Sequence, residues 1–168
     1  VGWPFYTFYM DSRTDMLYLG SEIGFGATPI YRIGFNVISA APQVMNGFNI
    51  KMQNTTNTSI SGFTSSGWTT VYSGTYSVSG TGWRWIELQT PFSYNGTNLL
   101  IEICFDNTSY TSNSTVASTT ASGKIYHYHT DGNTGCTMTG TSSATLRPNI
   151  CIMGPYINLK NQNNEVPK

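Results

Sequence analysis

Between Asn95 and Asn107 the chain carries its longest apolar run, bracketed by turn signals at Asn95-Gly96 and Asp106-Asn107. Leu99, Leu100, Ile101, Ile103 and Phe105 are too few for a globular helix, and the β-branched residues disfavour one, so the run predicts a central strand. Alternation puts Leu99, Ile101, Ile103 and Phe105 on one face and Leu100, Glu102, Cys104 and Asp106 on the other. The first face is fully apolar and predicts core. The second is mixed, and a mixed face on a central strand is where a β-sandwich can carry a site.

The same period of two recurs along the chain. Tyr31 to Ile38 sets Ile33, Phe35 and Val37 against Arg32, Gly34, Asn36 and Ile38. Phe48 to Gln53 sets Phe48, Ile50 and Met52 inward, with Asn49, Lys51 and Gln53 outward. Trp83 to Leu88 sets Ile86 and Leu88 against Trp83, Trp85 and Glu87. Shorter strands are expected at Phe5 to Met10, Met16 to Gly20, Thr69 to Ser73, Tyr76 to Val78, Lys124 to His129 and Leu146 to Met153. Asp11 to Asp15 reads as a polar turn, and Ser21 to Gly24 as one helical turn capped by Ser21. Long polar loops are expected from Asn54 to Gly67, with small anchors at Ile60 and Phe63, from Thr108 to Ser122, and from Thr130 to Ser143.

This density of short strands predicts an all-β chain, a two-sheet antiparallel β-sandwich with jelly-roll-like topology. One domain over 1–157 and a polar tail or linker over 158–168 account for the 168 residues.

Composition narrows the setting. Formal net charge is zero and only 10% of residues are charged, so the basic footprint expected for nucleic acid is missing. No polybasic segment or long apolar run suggests a membrane-bound or transmembrane chain. Val1-Gly2-Trp3-Pro4 does not read as a signal peptide, so a mature or excised chain is expected. Ser, Thr, Asn, Gly and Tyr solvate the surface in place of charge, a bias of extracellular β-proteins. Low charge also leaves self-association unopposed. Three cysteines, Cys104, Cys136 and Cys151, fit one disulfide and one free thiol with three pairings open, or alternatively three buried free thiols. Five Asn-X-Ser/Thr triplets, at Asn54, Asn57, Asn95, Asn107 and Asn113, are acceptors if the source glycosylates asparagine, and otherwise turn composition.

The series Gly67-Trp68-Thr69-Thr70-Val71-Tyr72-Ser73-Gly74, then Gly82-Trp83, then Thr90 through Asn107, resembles a module repeated in large secreted and surface proteins of Bacteroidota and related bacteria. The likeness extends to Leu17 through Ile23 and Ile33 through Val37. It implies a jelly-roll-like sandwich, an extracellular or cell-surface location, and a non-catalytic part in adhesion, glycan binding or surface assembly. It brings no catalytic residues.

Three constellations could carry chemistry. Trp83, Trp85 and Glu87, joined by Lys51 and Glu102 if their faces coincide, offer the flat rings and polar groups that sugar binding needs, with a glycan or cell-surface polymer as partner. A small polar residue is expected at the position of Trp85 in the resembling modules, so Trp85 departs from them. The alternative is that a loop or neighbouring subunit covers both indoles. Asp11, Asp15 and Asp106, with Glu22, could hold a structural Ca²⁺, although their spacing fits no EF-hand and Asp11 with Arg13 and Asp15 is more often a hydrogen-bonded turn. His127 and His129 share a strand face near Asp131 but lack a visible third ligand. No Gly-x-Ser-x-Gly or His-Glu-x-x-His motif is present, and the expectation is a protein that is not an enzyme. The alternative function is a self-assembling structural subunit of an extracellular, glycosylated fibre or surface layer, in which contacts that do not close build filaments.

Overall fold

The apolar faces read from the sequence meet at the centre of two packed antiparallel sheets, in a computed structural model that describes residues 1–132, 134–140 and 144–155. The strands are β1 (Asp11–Tyr18), β2 (Thr28–Ser39), β3 (Met45–Thr55), β4 (Thr69–Tyr76), β5 (Gly82–Tyr94), β6 (Asn98–Asp106), β7 (Thr115–Val116), β8 (Ser118–Thr120), β9 (Ile125–Thr130), β10 (Leu146–Pro148) and β11 (Ile150–Met153). One sheet has the order β4-β3-β6-β1-β9, and the other has β11-β2-β5 with β7 also paired to β2. From β1 to β7 the chain changes sheet after β1, β2, β4, β5 and β6, the alternation expected of a jelly-roll-like sandwich. Ile33, Phe35 and Ile86 from one sheet pack against Ile50, Met52, Ile101 and Ile103 from the other. Removing these side chains from water supplies the main driving force for the fold.

Residues 5–15 reverse the expected pattern, while Met16 to Tyr18 is strand as expected. Phe5 to Met10 forms turns, and Asp11 to Tyr18 is a strand buried along its whole length. It lies between β6 and β9, with Asp15 opposite both Glu102 and Tyr126. A run of Asp, Ser, Arg, Thr and Asp can occupy a central strand because neighbouring strands and covering loops supply partners for Arg13, Thr14 and one oxygen of Asp15. Residues 1–10 instead close the edge of the sandwich, where Phe5 sits in the core against Phe35 at a ring separation of 5.1 Å.

Smaller differences share one cause, that hydrogen-bonding partners extend or split short runs. β5 continues through Thr90 and Pro91 to Tyr94 because Thr28 to Ile30 of β2 pairs with it. The expected last strand divides at Asn149, so that β10 pairs β8 and β11 pairs β2. The helix α1 spans Gly20–Ile23 with Leu19, not Ser21, at its N-cap, and Gly24 ends it at φ 76°. The Leu19 N–H donates to Glu22 Oε2 at 2.7 Å. Cys104 and Cys136 form the disulfide, and Cys151 is the free thiol. The expected tail 158–168 lies outside the described residues.

Candidate functional site

β5 runs antiparallel to β2, which sets Trp83 opposite Asn36, Trp85 opposite Gly34 and Glu87 opposite Arg32. Ile33, Phe35 and Ile86 point into the core, so this second set faces away from it. Trp85 lies flat on Gly34, where a Cβ would come within 3.0 Å of the indole. The Arg32 guanidinium also stands over the indole, 4.7 Å from its centroid. Trp83 is more open, with 47% of its surface exposed. Arg32 Nη1 donates to Glu87 Oε1 at 3.3 Å, while Nε and Nη2 face the Met153 sulfur at 3.0 and 2.7 Å. A thioether is a weak acceptor, so two guanidinium donors remain available to a stronger one. Beside them Tyr31, Arg32, Glu87, Met153 and Pro155 line an open cavity of about 460 Å³.

Lys51 and Glu102 do not join this surface. They lie on the outward face of the larger sheet, on the far side of the sandwich. Directly opposite each other on β3 and β6, they form an ion pair at 2.7 Å. Glu102 also accepts from Arg13 Nε at 2.8 Å. Above this cluster the loop between β3 and β4 folds down, with Phe63 over the Arg13 guanidinium at 4.2 Å and edge-on to Tyr126 at 4.8 Å. Thr64 N–H donates to Asp15 Oδ2 at 2.9 Å, and Thr64 O accepts from both Arg13 Nη2 and the Trp68 indole. The segment after β9, anchored by the Cys104–Cys136 disulfide, covers the rest, its Met138 carbonyl accepting from Arg13 Nη1.

Asp15 and Glu102 are fully buried neighbours. Burial, then the Glu102 charge, pushes the Asp15 carboxyl up to about 8, against the opposing effects of the Thr64 N–H and Arg13. Asp15 thus keeps its proton at neutral pH. The two carboxylates, the two cations and the loop residues Phe63, Thr64 and Met138 form a buried structural network.

Asp11 pairs with Asp106 at one end of β1, but Asp15 lies four residues along the strand, roughly 13 Å away. Glu22 is at the opposite end, bound to Arg147 at 2.7 Å, which holds its carboxyl below the usual range. The expected acidic ligands are therefore not brought together, and among the described residues no group of three or more His, Cys, Asp or Glu side chains is arranged to hold a metal.

His127 and His129 do come together. His127 Nε2 lies 2.8 Å from His129 Nδ1, and His127 Nδ1 lies 3.0 Å from Thr14 Oγ1. Trp3 stacks on His127 at 4.6 Å, and the Tyr9 ring lies tilted against His129 at 4.1 Å. Burial, then the neighbouring His129, lowers His127 to about 3, so it is neutral at pH 7. Burial also lowers His129, with Asp131 opposing. The pair fastens the amino-terminal segment to β9 and presents no open coordination position toward a third ligand among the described residues.

Arg32 is a residue of this surface that does not stand out in the sequence. Alternation does put Arg32 and Gly34 on the face away from Ile33. Its significance depends on the register with β5, which alternation does not supply.

No known family, curated protein or solved structure matches this chain.

Proposed function

We propose that this chain is a non-catalytic extracellular module for adhesion or carbohydrate binding, with the outward face of β2 and β5 as its contact surface. The observation that carries the reading is that the half-exposed Trp83 shares the outward face of β2 and β5 with the Arg32–Glu87 pair and its cavity, which lie roughly 13 Å further along the strand. A flat apolar ring stacks on the non-polar face of one pyranose, while a cation and carboxylate further along the face donate to and accept from the hydroxyls of another unit of the same polymer. Trp85, packed on Gly34 and in contact with the Arg32 guanidinium, serves as the base on which Arg32 is positioned. The partner is a glycan or cell-surface polymer.

The Cys104–Cys136 disulfide supports an oxidising compartment. So does a surface solvated chiefly by Ser, Thr, Asn and Tyr, on a chain with only 10% charged residues. The resemblance to repeated surface modules of Bacteroidota points the same way.

The test is intrinsic tryptophan fluorescence during titration with a panel of neutral and acidic polysaccharides, for the wild-type chain and Trp83→Ala. A saturable change that Trp83→Ala abolishes, with unfolding unaltered, is expected. Binding that survives Trp83→Ala moves the contact elsewhere.

A second reading, a self-assembling subunit of an extracellular fibre or surface layer, is favoured by one observation. Phe8 and Tyr110 are 53% and 54% exposed and stand 6.2 Å apart, at a distance from Trp83 in the chain. Two separated apolar patches on a chain of zero net charge suit head-to-tail contact between copies. Sedimentation with electron microscopy of material from the source separates the readings: filaments favour assembly, and a monomer at high concentration opposes it.

A further inference from the structure

The five Asn-X-Ser/Thr triplets are equivalent in sequence but not in the fold. Asn107 is 4% exposed, and its Oδ1 accepts from the Asn46 backbone and side chain. Asn54 has both ends of its amide engaged, with Nδ2 donating to Ser93 O at 2.9 Å and Oδ1 accepting from Asn95 N–H at 3.0 Å. Asn113 is half-buried and accepts from Phe8 N–H. Asn57 and Asn95 are exposed, and their Nδ2 groups donate to nothing among the described residues.

Asn95 has a further feature. Its Oδ1 accepts from Thr97 N–H at 3.0 Å and from Thr97 Oγ1–H at 2.7 Å. The hydroxyl required at the third position of the triplet is thus already bonded to the amide of the first. Donation to a carboxamide oxygen draws electron density from its nitrogen and makes the N–H protons more acidic. Gly96 makes this turn at φ 88°, a backbone conformation that side-chain-bearing residues rarely adopt. Next to Asn95 lies a cleft of about 490 Å³ whose walls include Asn57, Thr55, Thr64, Ser66 and Thr97 and carry no charged side chain. Hydroxyls and amides without charge suit a neutral sugar.

We infer that Asn95 is an N-glycosylation site of the folded chain, with Asn57 on the same cleft as a second acceptor, while Asn54 and Asn107 are closed to modification. The donor class is an oligosaccharide linked through pyrophosphate to a polyisoprenyl lipid. Asn95 Nδ2 bonds to the anomeric carbon of the first sugar. The anomeric carbon–oxygen bond to pyrophosphate breaks, Nδ2 loses one proton, and lipid pyrophosphate leaves with the bonding electrons. No redox change occurs. The inference is independent of the contact surface proposed above, which lies on β2 and β5 around Trp83.

Glycopeptide mass mapping of the chain purified from its source is the test. The expected result is a sugar mass on the Asn95 peptide, with the Asn54 and Asn107 peptides unmodified. An Asn95 peptide that is entirely unmodified overturns the inference, as does modification of Asn107. Thr97→Val and Thr97→Ser, made in the same source, check the mechanism. Thr97→Val is expected to lose the Asn95 glycan and Thr97→Ser to keep it. Retention in Thr97→Val, with the chain folded, removes the hydroxyl from the argument and overturns the site's geometry as its cause.

Discussion

Asp15→Asn is expected to stabilise the protein increasingly as pH rises. Asp15 sits against Glu102 under the β3–β4 loop, and its carboxyl is pushed from 3.8 up to about 8, first by burial and then by Glu102. In the unfolded chain the same group ionises near its ordinary value. Between roughly pH 4 and 8 the folded state therefore holds a proton that the unfolded state has released. Stability from this group is fully present below about pH 4 and falls by about 1.4 kcal/mol for each pH unit of rise. It levels off above the folded value of about 8. The full span corresponds to on the order of 5 kcal/mol. Asparagine preserves the shape, because its Oδ1 can accept the Thr64 N–H and its Nδ2 can donate to Glu102, with nothing to titrate. Urea unfolding of wild type and Asp15→Asn at pH 5, 7 and 9 reads the difference directly, since other titrating groups cancel between the two proteins. The gap should open by several kcal/mol in favour of the variant from pH 5 to pH 9. A difference that stays constant with pH refutes the raised carboxyl of Asp15.

Other perturbations probe other parts of the same frame. His127→Gln should flatten the acid side of the stability profile. His127 is neutral when folded and lowered from 6.5 to about 3, so its contribution is present above 6.5 and lost as pH falls toward 3. Urea midpoints at pH 7, 5 and 4 would show no narrowing between variant and wild type if the burial of a neutral imidazole is misread. Cys136→Ser opens a loop with a sequence separation of 32 and should cost about 4 kcal/mol by chain entropy, seen as a lower denaturant midpoint. An unchanged midpoint would mean that the cover over Arg13 holds without its tether. Phe63→Ala removes the ring over Arg13 and its edge contact with Tyr126, a loss of roughly 2 kcal/mol. Hydrogen exchange at the Thr64 amide should quicken with it, and a protected Thr64 amide in the variant would argue against Phe63 as the anchor.

The inward faces are legible in the amino-acid order alone. Period-two alternation in Ile33 to Val37, Phe48 to Met52 and Leu99 to Phe105 identifies side chains that all lie in the core. Burial of apolar area is the strongest force favouring the folded chain, and alternation reports it locally, residue by residue. The pattern also marks Phe63 as an anchor within a polar loop. The outward faces are not legible in this way, because their fate depends on what folds over them. Asp11 to Asp15 looks like a turn until Glu102, Thr64 and Met138, distant in sequence, supply partners for its polar groups. Lys51 and Glu102 share an outward parity with Trp83 and Glu87, but parity is defined within each sheet, and the two sets emerge on opposite sides of the sandwich. Register decides the rest. Only the pairing of β2 with β5 puts Arg32 over Trp85 and beside Glu87, and only the turn at Gly96 sets Thr97 on the amide of Asn95. Local pattern fixes which side of a strand is dry, whereas a site requires several strands to agree on position, and that agreement is settled by tertiary contacts between segments far apart in the chain.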